Sequence, residues 1–255
     1  MKKTLNVIIY LLILNFASCQ NNTRFNKAEK DFTEIGVLDI SPDKSLKIFK
    51  NPEDSREATK ITFDKVYFGK NSGSIEINSS SDNNLKPFTI HSSTSDSESK
   101  HLTNTGLGPV GAALMFRVIA ETPTYFKVLM DDNTQEIGYI KKDERKTFNS
   151  KNAYFSSIDQ RNNIHPSNYF VFETWLDYMK RVEYINATNF EIFDKINGKI
   201  IKKGSKSESV RISVINRKGD WIQVNYNELL KNKTGWLQWR KNSKLTIEIT
   251  ENLME

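Results

Sequence analysis

An internal repeat of one β pattern constrains the fold of this chain more than any other feature. Residues 116–128 align without a gap with residues 212–224. The aligned pairs include Val118 with Val214, Ile119 with Ile215, Pro123 with Gly219, Tyr125 with Trp221, and Val128 with Val224. Short segments rich in Val, Ile and aromatic residues, separated by Gly, Pro, Asn or Asp, are typical of strands in small β-barrels or sandwiches.

The repeat extends on both sides of these aligned segments. Gly138-Tyr139-Ile140 follows the first segment at nearly the distance at which Gly235-Trp236-Leu237 follows the second. Upstream, Lys47-Ile48-Phe49 matches Glu191-Ile192-Phe193. The matched order and spacing predict two copies of one β unit, which we call the first repeat and the second repeat.

The second repeat resembles a bacterial SH3-like domain of the SH3b type. The resemblance is carried by Gly219-Asp220-Trp221-Ile222-Gln223-Val224 and Gly235-Trp236-Leu237, and it covers about 189–245. The first repeat is a degenerate version, with Tyr125 and Tyr139 in place of the two tryptophans. The resemblance implies small five-stranded barrels of a family whose members are mostly non-catalytic modules that bind cell-wall material, peptides or proteins.

The expected fold is mostly β, with two small SH3-like barrels joined by an amphipathic helix. Phe172, Trp175, Leu176, Met179 and Val182 recur at helical spacing, which predicts a helix over 169–185. The predicted organisation is a signal peptide (1–18), a tether (19–36), the first repeat (37–148) with an insertion at about 63–110, a helical connector (149–186) and the second repeat (187–255).

The N-terminus has the pattern of a lipoprotein signal peptide. Lys2 and Lys3 precede an apolar run that is shorter than the roughly 20 residues a membrane-spanning helix needs. The run ends Phe16-Ala17-Ser18-Cys19, which resembles the bacterial lipobox, although lipoboxes usually have Leu where this chain has Phe16. The resemblance implies cleavage before Cys19 and acylation of its thiol. Two or three acyl chains, at about 0.8 kcal/mol per buried CH₂, anchor a protein stably.

The residue inventory argues against the common catalytic classes. Cys19 is the only cysteine, so a cell-wall cysteine peptidase would lack its nucleophile. The three histidines, His91, His101 and His165, lack the Glu or Cys partners of a zinc site. We therefore expect no catalytic residues, no metal and no cofactor.

The charge of the chain does not indicate nucleic-acid binding. The formal net charge is +6 at pH 7, and the basic residues are scattered, with runs no longer than pairs such as Lys141-Lys142. The expected partners are the membrane, through the lipid anchor, and an envelope protein or cell-wall component. In some bacterial lipoproteins an acidic cluster after the cysteine marks export to the cell surface, and Gln20-Asn21-Asn22 has no such cluster. We therefore expect the protein to lie on the periplasmic face of the outer membrane.

Aromatic residues supply the candidate binding site. Because side chains alternate along a strand, Leu237 and Trp239 should share one face, and Trp236 and Gln238 the other. We expect Trp221 in the core of the second barrel and Trp236 at its rim, where Trp236 and Tyr226 are the candidate walls of a groove.

These features favour a non-catalytic envelope lipoprotein that acts as a binding or structural module. Two alternatives remain open. One is an envelope enzyme with an unrecognised site in the insertion at 63–110, and the other is an accessory subunit of an envelope complex.

Overall fold

The computed structural model describes residues 25–29, 32–41, 43–67, 73–79, 88–91, 114–130, 134–142, 145–159, 161–162, 164, 166–182, 184–205, 209–228, 231–242 and 244–250. The signal segment and Cys19 lie outside the described residues. Within the described part the chain is mostly β, as the sequence predicts, with several sheets and two short helices. None of the helices in this part is long and apolar enough to span a membrane.

The secondary structure runs along the chain as follows. The strands are β1 (Asn26–Lys27), β2 (Gly36–Ile40), β3 (Leu46–Ile48), β4 (Thr59–Tyr67), β5 (Gly73–Ser79), β6 (Phe88–His91), β7 (Leu114–Glu121), β8 (Tyr125–Leu129), β9 (Glu136–Lys141), β10 (Lys146–Phe148), β11 (Tyr169–Thr174), β12 (Tyr184–Thr188), β13 (Glu191–Phe193), β14 (Ile200–Lys203), β15 (Ser209–Lys218), β16 (Trp221–Glu228), β17 (Lys231–Gln238), β18 (Arg240–Lys241), β19 (Lys244–Leu245) and β20 (Glu248–Thr250). The helices are α1 (Lys151–Phe155) and α2 (Trp175–Arg181).

Two seven-stranded sheets form the body of the molecule. The first has the order β1-β9-β8-β7-β2-β11-β10, and the second has the order β14-β13-β17-β16-β15-β12-β20. Each contains an antiparallel meander of three consecutive strands, β7-β8-β9 in the first sheet and β15-β16-β17 in the second. Among the described strands, β1 is not hydrogen-bonded to β10 in the first sheet, and β14 is not hydrogen-bonded to β20 in the second. Neither sheet is therefore a fully closed barrel.

The two meanders have the same register at the positions that the sequence repeat aligns. Val118 pairs with Val128 in the first, and Val214 pairs with Val224 in the second. A register shift follows at the same place in both, just after Val118 and just after Val214. Because a one-residue slip would turn every side chain to the opposite face, equal registers give the two repeats the same inward and outward positions.

The insertion in the first repeat contributes to a separate antiparallel sheet of β3, β4, β5 and β6. The hairpin of β3 and β4 in this sheet belongs to the repeat, because it corresponds to the hairpin of β13 and β14 in the second repeat. The predicted insertion begins within β4 and supplies β5 and β6. The two apolar segments of the insertion lie side by side, with Ile75 opposite Ile90 and Ile77 opposite Phe88 in backbone register.

The helix predicted over 169–185 is only partly correct. Its first third is strand β11, which pairs with β2 on one side and β10 on the other, so the sheet satisfies its backbone hydrogen bonds. The helix begins only at Trp175, because the Thr174 hydroxyl accepts a hydrogen bond from the Asp177 amide at 3.2 Å. It ends at Arg181, and β12 follows. This short α2 still connects the two sheets, and it contacts β2, β11 and β15.

Each sheet covers an apolar core, and α2 joins them. The core of the first repeat includes Ile48, Phe116 and Phe126. The core of the second repeat contains the buried face of α2 and also reaches Val37 and Met115 in the first sheet. The two repeats therefore pack against each other through apolar contacts.

Candidate functional site

The second repeat has three half-buried aromatic side chains on the face of its sheet that points away from the core. They are Phe193 on β13, Trp221 on β16 and Trp236 on β17. Their strand neighbours, Ile192, Ile222 and Leu237, point inward and are buried in the core. We call these three outward residues the second aromatic face.

The register places amide side chains between the rings of this face. Gln223 lies opposite Trp236, and Gln238 lies opposite Trp221, on the paired strands β16 and β17. The two tryptophans are thus diagonal neighbours, each with a half-buried glutamine directly across from it. Phe193 lies opposite Trp236 on β13 and makes an edge-to-face contact with Trp221, with ring centroids 5.2 Å apart.

The first repeat has aromatic residues at the aligned positions, but their burial and ring contacts differ. Tyr125 and Tyr139 replace the two tryptophans and make an edge-to-face contact with each other, with ring centroids 5.4 Å apart. Phe49, which corresponds to Phe193, lies opposite Tyr139 in an isolated β-bridge and is only 6% exposed. We call Phe49, Tyr125 and Tyr139 the first aromatic face. Burial raises the pKa of the Tyr139 hydroxyl, and the nearby Tyr125 and Glu53 raise it further, so the ring is neutral at physiological pH.

The structure corrects the sequence-based assignment of the tryptophans. Trp236 is half-buried and points outward, as expected for a rim residue, and Leu237 and Trp239 are buried together on the inner face. Trp221 was expected in the core, but it is also half-buried and outward. The position of Trp221 follows from register, because it is one residue before the inward Ile222.

Trp236 and Tyr226 do not form one groove. Tyr226 is 3% exposed and lies on the inner face of β16 with Ile222 and Val224, whereas Trp236 points outward. The Tyr226 ring lines a different cavity, where the Lys202 ammonium lies 5.7 Å from its centroid. The sequence identified one wall of the candidate site, and it missed Phe193 and Trp221. The alignment of the two repeats could have indicated both residues.

The other residues singled out in the sequence lie mostly outside the part of the molecule that the structure describes. Cys19, His101 and His165 lie outside it, and His91 lies in β6. Among the described residues, no group of three or more His, Cys, Asp or Glu side chains is placed to hold a metal ion.

Comparisons with protein-family models, with curated proteins and with solved structures returned no match. The two aromatic faces are the candidate binding surfaces of the described part of the molecule. Flat rings beside amide groups can stack on the apolar face of a ligand and hydrogen-bond its polar edge.

Proposed function

We propose that this chain is a non-catalytic lipoprotein of the bacterial cell envelope that binds a cell-wall glycan through its aromatic faces. The single observation that carries the proposal is the second aromatic face, where half-buried Trp221 and Trp236 alternate with Gln223 and Gln238. Sugar rings present apolar C–H faces and polar hydroxyl edges, and this alternation of rings and amides is complementary to both.

The strand order supports an SH3-like assignment for both repeats. In the second repeat β12 pairs with β15, and β13 begins only two residues after β12 and pairs with β17. One nearly continuous segment thus pairs with both ends of the meander, so the sheet has to curl back on itself. In the first repeat β2 pairs with β7, and Phe49, just after β3, pairs with Tyr139 on β9. Such curled meanders fit the small barrels that the SH3-like resemblance implies.

The binding proposal is tested with the full chain and purified peptidoglycan sacculi. Trp221→Ala and Trp236→Ala should each weaken co-sedimentation by about tenfold, since a central aromatic contact can contribute 1–2 kcal/mol or more to binding. Phe155→Ala is the matched control, because Phe155 is 51% exposed and belongs to neither aromatic face. Sacculi that fail to retain the wild-type protein, or that retain both tryptophan variants fully, would rule out this ligand.

The anchorage proposal is tested separately, at Cys19. In cells fed labelled palmitate, Cys19→Ala should leave an uncut, unlabelled precursor, because the acyl chains are attached to that thiol. Gln20→Ala is the control and should label normally. Palmitate labelling of the Cys19→Ala protein at the wild-type level would refute lipidation at this residue. With lipidation in place, we propose the periplasmic face of the outer membrane as the location.

A further inference from the structure

The two aromatic faces have the same strand register but different polar residues. Where the second face has Gln223 and Gln238, the first has Lys127 and Lys141. Lys127 lies opposite Tyr139, and Lys141 lies opposite Tyr125, in the same register as the glutamines. The second repeat thus has two neutral amide side chains at positions where the first repeat has two lysines.

A small cavity next to the first face extends this difference. Its volume is about 200 Å³, and it lies among β3, the loop before β4 and the segment after β9. Of the described residues that line it, three are basic and none is acidic. The three are Lys47, Lys141 and Arg145. We call it the basic cavity. The rings of Phe49 and Phe170 and the side chains of Ser45 and Ser55 complete its described lining with Leu46.

The protein holds two of these cations in fixed positions. The Lys141 ammonium donates to the Asp54 carbonyl at 2.7 Å and lies 4.3 Å from the Phe49 ring centroid. The Arg145 guanidinium donates to the Ser41 carbonyl at 2.6 Å and lies 5.3 Å from the Phe170 ring centroid. The Asp54 carbonyl and the Phe49 ring orient the Lys141 ammonium without neutralising its charge, so these contacts preorganise a cation at the cavity.

The second repeat folds without these cations. In the second repeat the aligned positions are Glu191 for Lys47, Gln238 for Lys141 and Asn242 for Arg145. The equivalent strands β13 and β17 pair normally with these residues in place. The basic set is therefore specific to the first repeat, where Arg145 also holds the loop between β2 and β3 through the Ser41, Lys44 and Ser45 carbonyls.

We propose that the basic cavity binds an oxyanion group, a carboxylate or a phosphate, of the ligand that the first aromatic face contacts. This inference deepens the proposed function and rests on it for the identity of the whole ligand. Lys141 links the two parts, because it also lines a larger cavity of about 590 Å³ beside Tyr125. The ligand places its planar part over Tyr125 and its anionic group between Lys141 and Arg145. The serine hydroxyls of Ser45 and Ser55 donate to the remaining oxygens.

The test is an NMR titration of the ¹⁵N-labelled full chain with sodium phosphate and, separately, with sodium acetate. Sodium chloride at matched ionic strength is the reference. We expect saturable shifts of the Ser45, Ser55 and Lys141 amides. Lys141→Gln, which installs the residue of the second repeat, should weaken the response about tenfold or more, as expected for loss of a charged hydrogen bond. Lys141→Arg keeps the charge and should keep the response.

Lys241→Gln is the control of equal charge change, because Lys241 is exposed on β18 in the second repeat. A saturable response to either anion that is lost in Lys141→Gln and kept in Lys241→Gln supports the proposal, and the stronger anion identifies the chemical source. Shifts equal to those in chloride, or equal in the two glutamine variants, overturn it. Trp236→Ala should leave this titration unchanged, so failure of glycan binding and failure of anion binding are distinguishable.

Discussion

At the residue scale, the four tryptophans divide into a buried pair and an outward pair. Trp175 and Trp239 are 0% exposed, and their ring centroids lie 4.9 Å apart. The Trp239 indole also donates to the Gly219 carbonyl at 3.2 Å. Trp221 and Trp236 are half-buried and point away from this core. The buried pair therefore contributes to stability, and the outward pair is the pair assigned to ligand binding in the proposed function.

This division predicts an order of stability among the variants. Trp239→Ala should lower the free energy of unfolding by about 3–5 kcal/mol, because it leaves a cavity in the core. Trp221→Ala and Trp236→Ala should each cost roughly 1 kcal/mol, because their rings already contact water. Urea unfolding followed by circular dichroism measures all three. A loss for Trp221→Ala as large as that for Trp239→Ala would place Trp221 in the core after all.

At the element scale, one glycine in each repeat allows the hairpin of β3 or β13 to lie close to the meander. A Cβ added to Gly138 would lie 2.6 Å from the Ile48 Cγ2 atom, and one added to Gly235 would lie 2.3 Å from the Ile192 Cγ2 atom. Ile48 and Ile192 occupy the same repeat position and are fully buried. The glycine of the Gly-aromatic-aliphatic motif is thus required by packing against the same isoleucine in both repeats.

Gly235→Ala should therefore destabilise the protein by about 1–3 kcal/mol, the usual cost of overpacking a core. Gly219→Asn is the matched control. Gly219 has a φ of +58° with no atom within 4 Å of an added Cβ, and Asn tolerates this backbone conformation. Thermal unfolding of the two variants makes the comparison. An equal loss in both would show that backbone freedom, and not close packing, explains the glycine in this motif.

At the scale of the whole molecule, a buried cluster of charges joins the two repeats. Glu34, which precedes β2, is fully buried and forms ion pairs with Arg117 on β7 at 3.5 Å and with Arg240 on β18. Arg240 also pairs with Asp220 at 2.5 Å. Burial lowers the pKa of Arg117 to about 10, which still leaves it protonated at neutral pH. The carboxylates of Glu34 and Asp220 thus lie against the two guanidinium groups at the junction of the two repeats.

Removing the Glu34 carboxylate should destabilise the whole molecule. Glu34→Ala removes the carboxylate that the two buried cations share and leaves Asp220 as the carboxylate paired with Arg240, and the expected cost is about 3–5 kcal/mol. Glu191→Ala is the control, because Glu191 forms an exposed pair with Lys203 at 2.6 Å and such pairs contribute at most about 1 kcal/mol. Guanidinium unfolding gives both values. A cost below 1 kcal/mol for Glu34→Ala would mean that the shared apolar core alone joins the repeats.

The amino-acid sequence by itself determined the β class and which residues of the two meanders are equivalent. The aligned valines, glycines and aromatic residues lie at equivalent paired positions, because strand periodicity and turn residues are local properties of the chain. The alternation of Leu237 and Trp239 with Trp236 also followed from this periodicity.

Only the tertiary structure decided whether a segment formed a helix or a strand when its local sequence is compatible with both. It also decided which residues that are distant in sequence come into contact. The helical spacing that begins at Phe172 placed residues 169–174 in the predicted helix, yet pairing with β2 and β10 makes them a strand. Trp221 points outward because its neighbour Ile222 packs on the core of the second repeat. Lys47, Lys141 and Arg145 line one cavity only after the sheets have folded. Local periodicity describes the two faces of a strand, and packing against distant segments decides which face is buried.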